Sequence, residues 1–319
     1  MKVLVDTDAG VDDSLAILTL LAAPAVQLVG VGTVFGNCDE AQAASNVLTT
    51  FEVAGVSSVP VCVGEKRTGP NPNAPSPHGR DGLGDRGLRP ARLEVADESA
   101  VVQMLRVTNE LEGQAHLLCL GPLTNVAAVL RSDSSALSRF ASVTIMGGMG
   151  TQEDSASVLA ACPQFLVKGD TNTNHDPVAA AVVAEAVGNV TWVGMNVTAR
   201  LRVPLERLAE SDTRVGEFTR TIVSDYSRYC TRMYGAEEPI FTAHDVVAAA
   251  VLIDDQVLLA STSAQPAVRM GDDRRSSLWG RTAVGQPTHR FAQDVDFARV
   301  LRRFDRVLRV GWFQGRTAR

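Results

Sequence analysis

The sequence predicts an α/β fold, in which a mostly parallel central sheet is covered by helices on both faces. Short apolar runs alternate with helical stretches along the whole chain, the pattern of such a sheet. Runs such as VQLVGVG are apolar without alternation, which is typical of strands buried on both faces. No internal repeat and no linker divides the 319 residues, so we expect one large Rossmann-like domain over 1–319.

The first strand runs into an acidic turn. The apolar run at 3–5 stops at a DTDAGVDD segment, and a long apolar helix follows, so four aspartates gather at one strand–helix junction: Asp6, Asp8, Asp12 and Asp13. Four like charges in so short a stretch repel one another. The helix N-terminus offsets part of that cost, and a bound cation would offset more. Carboxylate oxygens select Ca²⁺ or Mg²⁺. Helix capping is the alternative, but a cap needs one aspartate.

The middle of the chain continues the alternation. A second strand ends at Gly36-Asn37, a helix over 40–54 follows, and VPVCVG predicts a third strand. Residues 65–90 are rich in Pro and Gly, and we interpret them as a long surface loop that forms a mobile flap over the site. A second long loop is predicted at 149–176, and a helical region at about 204–234 is expected to border the site.

The other predicted elements come in order: a helix near 98–112, strand HLLCLG, helix VAAVLR, strand VTIMGG, a helix opening at Asp176-Pro177, strand VTWVGMNV, helix HDVVAAAVLI, β segments around 257–270 and 278–296, and the basic amphipathic helix FARVLRRFDRVLR. Ligands of such sheets bind at the carboxyl ends of the strands. Polar clusters follow several of these strands, so the sequence predicts one convergent site.

Composition and net charge indicate which binding partners and which cellular compartment to expect. The net charge of −6 argues against nucleic acid or an anionic membrane as a partner. Met1-Lys2 lead directly into the first strand without a signal peptide, and the apolar stretches are too short or too interrupted to span a bilayer. Five cysteines without metal-type spacing predict reduced thiols and a cytoplasmic protein.

Seven short motifs occur in order between residues 6 and 245: DTDAGVDD at 6–13, FGN at 35–37, HGRDGLG at 78–84, GPLTN at 121–125, MGG at 146–148, NHDPVAA at 174–180 and AHD at 243–245. A DxD motif alone is weak evidence, but the whole series resembles the calcium-dependent nucleoside hydrolases, also called inosine-uridine-preferring nucleoside ribohydrolases. The resemblance implies their fold and an N-ribosyl hydrolase that releases ribose and a free base in purine or pyrimidine salvage. It also suggests a homodimer or homotetramer.

The resemblance implies a Ca²⁺ held by three carboxylates and one backbone carbonyl: Asp8, Asp13, Asp245 and Leu120. Such oxygen donors suit Ca²⁺. Asp8 would be the general base on a Ca²⁺-bound water that attacks the anomeric carbon. Cleavage of the N-glycosidic bond develops oxocarbenium character, which nearby carboxylates stabilise.

Other motif positions correspond to substrate contacts in the family. Asp12, Asn37 and Asn172 would bind sugar hydroxyls, and Met146 would line the ribose pocket. His244 would protonate the leaving base, since an unperturbed pKa near 6.5 suits that role, although a structural histidine at a helix N-terminus is the alternative.

The loop residue His78 and Tyr229, or a neighbouring tyrosine, would contact the nucleobase, with ordinary packing as the alternative. Three positions depart from the family pattern. Asp170 stands where a Glu is common, Gln164 corresponds by spacing to a sugar-contacting Asn, and Asn196 replaces a more usual Asp. The shorter Asp170 is expected to leave a gap at the 5′ end of the sugar.

Two other functional classes remain open at this point. A nucleoside-binding homologue could keep the fold and lose turnover. A haloacid dehalogenase-type phosphatase also carries a DxD motif after its first strand. That class needs a Thr or Val after the second aspartate and a downstream lysine, whereas this chain has Ala9-Gly10 and few lysines.

Overall fold

The computed structural model describes residues 1–67, 76–161, 163, 169–209, 211–270, 275–281 and 289–309. Within these residues the chain forms a single α/β domain around one large sheet. The strands are β1 (Lys2–Thr7), β2 (Gln27–Thr33), β3 (Val61–Val63), β4 (Ala115–Cys119), β5 (Ser142–Met146), β6 (Val190–Val193), β7 (Arg202–Pro204), β8 (Ile240–Thr242), β9 (Leu258–Met270), β10 (Ser276–Arg281) and β11 (His289–Val295).

Nine of these strands form the central sheet, in the order β10-β9-β11-β6-β5-β4-β1-β2-β3. The seven from β11 to β3 pair in parallel, while β9 pairs antiparallel with both β11 and β10. Strands β7 and β8 form a separate antiparallel pair. The mostly parallel sheet is therefore confirmed.

The helices are α1 (Val11–Ala22), α2 (Glu40–Ala54), α3 (Ala100–Glu110), α4 (Thr124–Ser132), α5 (Ser155–Ala161), α6 (Thr171–His175), α7 (Pro177–Ala184), α8 (Met195–Thr198), α9 (Arg214–Tyr234), α10 (His244–Ile253) and α11 (Phe297–Arg309). Short 3₁₀ turns supplement them. No helix in the described part of the chain has the length and apolar character needed to cross a membrane.

Helices cover both faces of the sheet, as predicted. Successive side chains of β1 point to opposite faces. Val3 and Val5 belong to one apolar cluster, which also contains buried residues of α1, α2, α10 and α11. Leu4 belongs to a second cluster, with residues of α3, α4 and α7. Both faces of β1 are thus buried, which explains its uninterrupted apolar sequence.

The parallel register brings the ends of several strands to one edge. Strand β1 lies between β2 and β4, and β5 and β6 follow next to β4. Four polar or carbonyl-bearing positions therefore meet at this edge: Asp8 after β1, Asn37 after β2, Leu120 after β4 and Met146 at the end of β5.

Three details of the predicted elements were wrong. The segment 149–176, predicted as a loop, contains α5 and α6. Strand β6 ends at Val193, and the MNVT segment forms the short helix α8. The helical region at 204–234 begins with the short strand β7 and a 3₁₀ turn before α9. In the described part of 65–90 there is neither helix nor strand, as predicted.

Candidate active site

The acidic turn is held in a strained backbone conformation. Ala9 has a φ of 46°, in the left-handed region that alanine rarely adopts. Next to it, the carboxylate of Asp13 accepts hydrogen bonds from the Gly10 backbone N–H at 2.9 Å and from the Thr7 hydroxyl. These contacts fold the chain so that its aspartates converge instead of pointing apart.

Asp8 is fixed by the loop after β2. Its Oδ2 accepts the backbone N–H of Asn37 at 2.8 Å, and the Asn37 amide donates to Asp13 at 3.3 Å. A Cβ at Gly36 would overlap the Asp8 carboxylate, so only glycine fits beside it. Asn37 therefore contacts both carboxylates, Asp8 through its backbone N–H and Asp13 through its side-chain amide.

The tightest carboxylate group consists of Asp12, Asp13 and Asp245, whose oxygens lie within 4.8 Å of one another. Asp12 also accepts the backbone N–H groups of His244 and Asp245 at the start of α10. Asp8 contacts Asp13 from the other side. The predicted metal set contained Asp8 rather than Asp12, so the geometry adds Asp12, a residue that sequence reasoning assigned to the sugar.

Burial dominates the electrostatics of this group. It raises the pKa of Asp12 to about 8, with the Asp13 charge as the second cause. The pKa values of Asp8 and Asp245 also lie well above the usual range, because of burial first and neighbouring carboxylates second. Without a counter-cation the Asp12 carboxyl is therefore mostly protonated at pH 7, and burial opposes ionisation of its neighbours as well.

The donor set fits a hard divalent cation. Several carboxylates converge with little exposure, between 1% and 5% for Asp8, Asp12, Asp13 and Asp245. Buried carboxylates of this kind are normally paired or metal-bound. All the oxygen donors are of the type that Ca²⁺ and Mg²⁺ prefer, and no thiolate belongs to the group.

A cavity of about 350 Å³ opens onto these carboxylates. Its lining includes every described residue of the predicted site: Asp8, Asp12, Asp13, Asn37, His78, Leu120, Met146, Asp170, Asn172, Tyr229, His244 and Asp245. The sequence motifs thus converge on one concave site. Gln164, the other predicted contact, lies outside the described residues.

Histidine and aromatic side chains lie along one side of the cavity. His78 stacks on Tyr226 with ring centroids 4.6 Å apart, and the Tyr226 hydroxyl bonds to Thr242 at 2.7 Å. His78 Nδ1 accepts the backbone N–H of Val11 at 3.1 Å, so the ring proton resides on Nε2. Its approach to Asp12 at 3.8 Å is too long for a hydrogen bond. Burial lowers the pKa of His78 to about 3, so the ring that approaches Asp12 is neutral.

His244 lies at the N-terminus of α10. Its Nδ1 is 2.9 Å from the Thr198 hydroxyl, and burial lowers its pKa to about 4. This pKa lies below the unperturbed pKa near 6.5 that suggested a leaving-group acid, because a buried imidazole loses the solvation of its charged form.

A polar arm of the cavity is formed by α6. Asn172 donates to the backbone carbonyls of Leu120 at 2.6 Å and Met146 at 3.1 Å. Asp170 caps α6 by accepting the N–H of Thr173 at 2.8 Å, and its second oxygen accepts the N–H of Leu278 at 3.2 Å. Both Asp170 oxygens thus have backbone partners, although the residue lines the cavity.

Sequence reasoning missed several lining residues. Met195, Met233, Thr242, His175 and Arg275 also face the cavity. His175 stands in the NHDPVAA motif but was given no role there. The other four lie outside the quoted motifs, and their approach depends on how the elements around the cavity pack. By contrast, the buried Asn196 donates to the Ala292 carbonyl at 2.8 Å, a contact with the strand β11.

Comparison with known proteins agrees with this geometry. The family model described as inosine-uridine preferring nucleoside hydrolase matches residues 3–302. Uridine nucleosidase 1 of Arabidopsis thaliana is 34% identical over 231 residues, which cover 72% of this chain and 66% of that protein. The inosine-uridine preferring nucleoside hydrolase of Crithidia fasciculata is 29% identical over 265 residues, covering 81% of this chain and 80% of that enzyme.

The fold has solved counterparts. A plant nucleoside hydrolase superposes with a TM-score of 0.84 at 24% sequence identity, and the match covers 96% of this chain and 98% of the other. At that identity the superposition supports the fold, whereas the family model spans both the acidic turn and the AHD motif. The chain is a nucleoside hydrolase and belongs to the inosine-uridine preferring family.

Proposed function

We propose that the chain hydrolyses the N-glycosidic bond of ribonucleosides to ribose and a free base, with Asp8 as general base and Ca²⁺ as cofactor. The observation that carries this proposal is the cavity, in which one end is acidic, one side is aromatic and one arm is polar. A ribonucleoside has three matching extremities: a vicinal diol, a planar base and a 5′ hydroxymethyl group. Family membership supports the reaction.

The orientation of the substrate follows from chemical complementarity. The diol is directed to the carboxylate end, where Asp12 and Asn37 accept or donate hydrogen bonds to the hydroxyls. The base lies between the side chains of His78, Tyr226 and Tyr229, which offer stacking surface. The remaining 5′ group extends toward Asp170 and Asn172. This orientation puts the scissile bond beside Asp8.

Asp13 and Asp245 would hold the cation together with the Leu120 carbonyl and Asp8, and the proximity of Asp12 to Asp13 makes it a further ligand candidate. When bound, Ca²⁺ supplies positive charge that keeps the carboxylates ionised and lowers the pKa of an attacking water.

Asp8 then accepts the proton of that water. Without the cation, burial and the Asp13 charge raise the pKa of Asp8. With Ca²⁺ bound that rise is offset and Asp8 is ionised, which is the form that accepts a proton. The Asn37 backbone N–H holds one of its oxygens in a fixed direction, which leaves the other to take the proton. The surrounding carboxylates stabilise the positive charge that develops on the ribosyl ring.

His244 contacts the departing base. Its position at the start of α10, next to the proposed ligand Asp245, brings it to the same side of the cavity as His78 and Tyr226. We propose that the imidazole donates a proton or a hydrogen bond to the base as the bond breaks. Met146, which lines the cavity near Asn172, completes the sugar pocket.

Incubation of the purified protein with uridine, cytidine, inosine, adenosine and guanosine tests the proposal. Free ribose, lost on addition of EGTA and restored by Ca²⁺, is the expected result. Uridine is the first choice because the Arabidopsis relative is named for it. Nucleoside binding without ribose release would indicate a binding homologue. Ribose 1-phosphate in phosphate buffer would indicate a phosphorylase.

We also propose that the protein is a cytoplasmic enzyme of nucleoside salvage and that it forms a homodimer or homotetramer. Sedimentation analysis measures the oligomeric state directly. The described loop at 76–90 and the helix α9 border the cavity through Ser76, His78, Tyr226 and Tyr229, which supports their role as a cover for the bound nucleoside.

A further inference from the structure

A buried asparagine outside the cavity joins two parts of the site. Asn46 lies in the middle of α2 and has no exposed surface. Its Nδ2 donates to the carbonyl of Ala9 at 3.0 Å and to the carbonyl of Asp81 at 2.7 Å. Its Oδ1 accepts from Gln42 at 2.9 Å. One side-chain amide thus spans the acidic turn and the loop that carries His78.

The hydrogen bond from Asn46 to the Ala9 carbonyl holds a residue whose backbone is strained. Ala9 follows Asp8 directly, and its positive φ is disfavoured for any residue with a Cβ. A strained conformation persists only where surrounding contacts over-determine it. The hydrogen bond from Asn46 to the Ala9 carbonyl fixes the orientation of that peptide, and with it the direction in which Asp8 leaves β1.

The second contact holds a loop that is internally bonded. Asp81 Oδ1 accepts the backbone N–H groups of Leu83 and Asp85, each at 2.8 Å, and Gly84 N–H donates to the His78 carbonyl at 2.7 Å. The segment 78–85 is therefore held together by its own hydrogen bonds. Whatever fixes Asp81 also fixes His78, whose ring accepts the Val11 N–H.

The loop has a second attachment, but it lies at the surface. Arg86 pairs with Asp225 of α9 at 2.9 Å, and both side chains are about a third exposed, at 33% and 37%. Exposed ion pairs of this kind contribute little to stability. The amide of Asn46 is fully buried, so its removal takes away the donor of the buried Ala9 carbonyl and of the Asp81 carbonyl.

We propose that Asn46 is a positioning residue, which sets the acidic turn and the His78 loop in register with each other. This inference rests on the proposed function, since its consequence is measured on nucleoside hydrolysis. Asn46 does not line the cavity, and it acts through Ala9 and Asp81, with a weaker contact from its Nδ2 to Cys38 Sγ at 3.7 Å.

The first experiment compares Asn46→Ala with Thr50→Val. Thr50 is one turn further along α2, is fully buried, and bonds only to the helix carbonyl of Asn46. We expect kcat/KM for uridine to fall by about 30-fold in Asn46→Ala, within the range seen for misplaced catalytic groups, and to stay within about 2-fold in Thr50→Val. Equal values for the two variants would overturn the proposal.

A double-mutant cycle adds a readout that a purely structural role would not move. If Asn46 positions His78, then His78→Ala should cost less in the Asn46→Ala background than in the wild type. Additive losses in kcat/KM would contradict the coupling. Ala9→Gly should restore part of the kcat lost in Asn46→Ala, because glycine adopts the positive φ without strain.

A second pair of variants leaves Asn46 intact. Gly82 and Gly87 both have positive φ, at +78° and +63°, so alanine is strained at either position. A Cβ at Gly82 would meet Asn46 Nδ2 at 2.8 Å, whereas at Gly87 it would meet nothing within 4 Å. We expect Gly82→Ala to lower kcat/KM at least 5-fold more than Gly87→Ala. Matching losses would refute the inference.

Hydrogen exchange separates this inference from the proposed function. Amides of 78–85 should exchange faster in Asn46→Ala than in Thr50→Val, whatever the protein hydrolyses. If the wild type releases no ribose, the proposed function fails, and the exchange data still decide the anchoring role. If the wild type is active and exchange is unchanged, the inference fails alone.

Discussion

Removal of the cation should make the stability of the protein depend on pH in a defined direction. In the folded, metal-free chain the pKa of Asp12 is about 8, against about 3.9 for an unfolded aspartate. The folded state therefore binds more protons than the unfolded state between these values. The linkage relation then gives a stability that is complete at low pH and is lost as pH rises through the folded pKa.

The useful window lies between pH 6.5 and pH 8.5. The buried histidines His78, His175 and His244 have folded-state pKa values of about 3, 3 and 4, so in the folded chain they are neutral above pH 6.5. In the unfolded chain they titrate near 6.5, so each adds about 0.4 kcal/mol of stability as pH rises through this window, with and without the cation. Burial also raises the pKa of Asp6 to about 7, and Asp6 bonds to Asn125 behind the site. Its contribution to the pH dependence of stability is therefore the same with and without the cation. The difference in stability between the metal-free and the Ca²⁺-bound protein therefore reports on Asp12 and the carboxyls next to it.

The expected size follows from the Asp12 pKa alone. Between pH 6.5 and 8.5 a carboxyl with a folded pKa of about 8 loses about 2 kcal/mol of folding free energy. For a chain of 319 residues that corresponds to a fall of about 3 °C in Tm relative to the Ca²⁺-bound protein. Asp8 and Asp245, whose pKa values are also raised, increase the fall.

The assay is thermal unfolding at several pH values, with EGTA or with excess Ca²⁺. With Ca²⁺ bound the carboxylates are ionised at every pH of the series, so they do not lower the Tm as pH rises. The Tm measured with Ca²⁺ should therefore exceed the Tm measured with EGTA by most at pH 8.5. Asp12→Asn should reduce the difference in slope. A gap between the Ca²⁺ and EGTA curves that stays level or narrows from pH 6.5 to 8.5 would refute the reasoning.

Three further outcomes are expected. Asp8→Asn should lower kcat by at least ~10²-fold, because the amide cannot accept the proton; Ca²⁺ binding measured by calorimetry serves as the control, and near-normal turnover would exclude Asp8 as the base. His244→Ala should slow uridine hydrolysis but spare p-nitrophenyl riboside, whose leaving group departs without a hydrogen-bond donor; equal losses would indicate a structural role. For 5′-deoxyuridine we expect kcat/KM within about 10-fold of uridine, or about 1.4 kcal/mol, since both Asp170 oxygens already have backbone partners. Loss of the 2′-hydroxyl should cost far more, and a 5′-deoxy penalty as steep as that would show that Asp170 bonds to the hydroxyl.

The sheet could be predicted from the sequence because buried parallel strands leave a direct signature. Uninterrupted apolar runs and the turns after them located β1, β2, β4 and β5, and their common edge followed from the parallel topology. Helix α6 escaped prediction because TNTNH has low helix propensity. It forms because Asp170 caps it and because Leu278 of β10 donates to the same carboxylate, a contact more than a hundred residues away in sequence.

The acidic cluster shows a second kind of limit. Sequence located the aspartates, but the pairing of Asp12 with Asp13 and Asp245 depends on the positive φ of Ala9 and on the start of α10. Asn46 was overlooked for a similar reason. An asparagine among small and polar residues of an amphipathic helix predicts a solvent-exposed position, and only the packing of the 78–85 loop onto α2 buries it.

The low pKa values of the two cavity histidines restrict how the leaving base can be assisted. At neutral pH both His78 and His244 are neutral, since burial lowers their pKa values to about 3 and 4. An imidazolium at His244 would be present in roughly one molecule in a thousand at pH 7. A neutral imidazole can still donate its N–H, and His78, with its proton on Nε2, is such a donor. Assistance through neutral donors keeps the rate level from pH 6 to pH 8, whereas a protonated His244 would make kcat fall tenfold for each pH unit above its pKa. The observed burial favours the first behaviour, in which the histidines bind the base through hydrogen bonds and the free base takes its proton from solvent after departure.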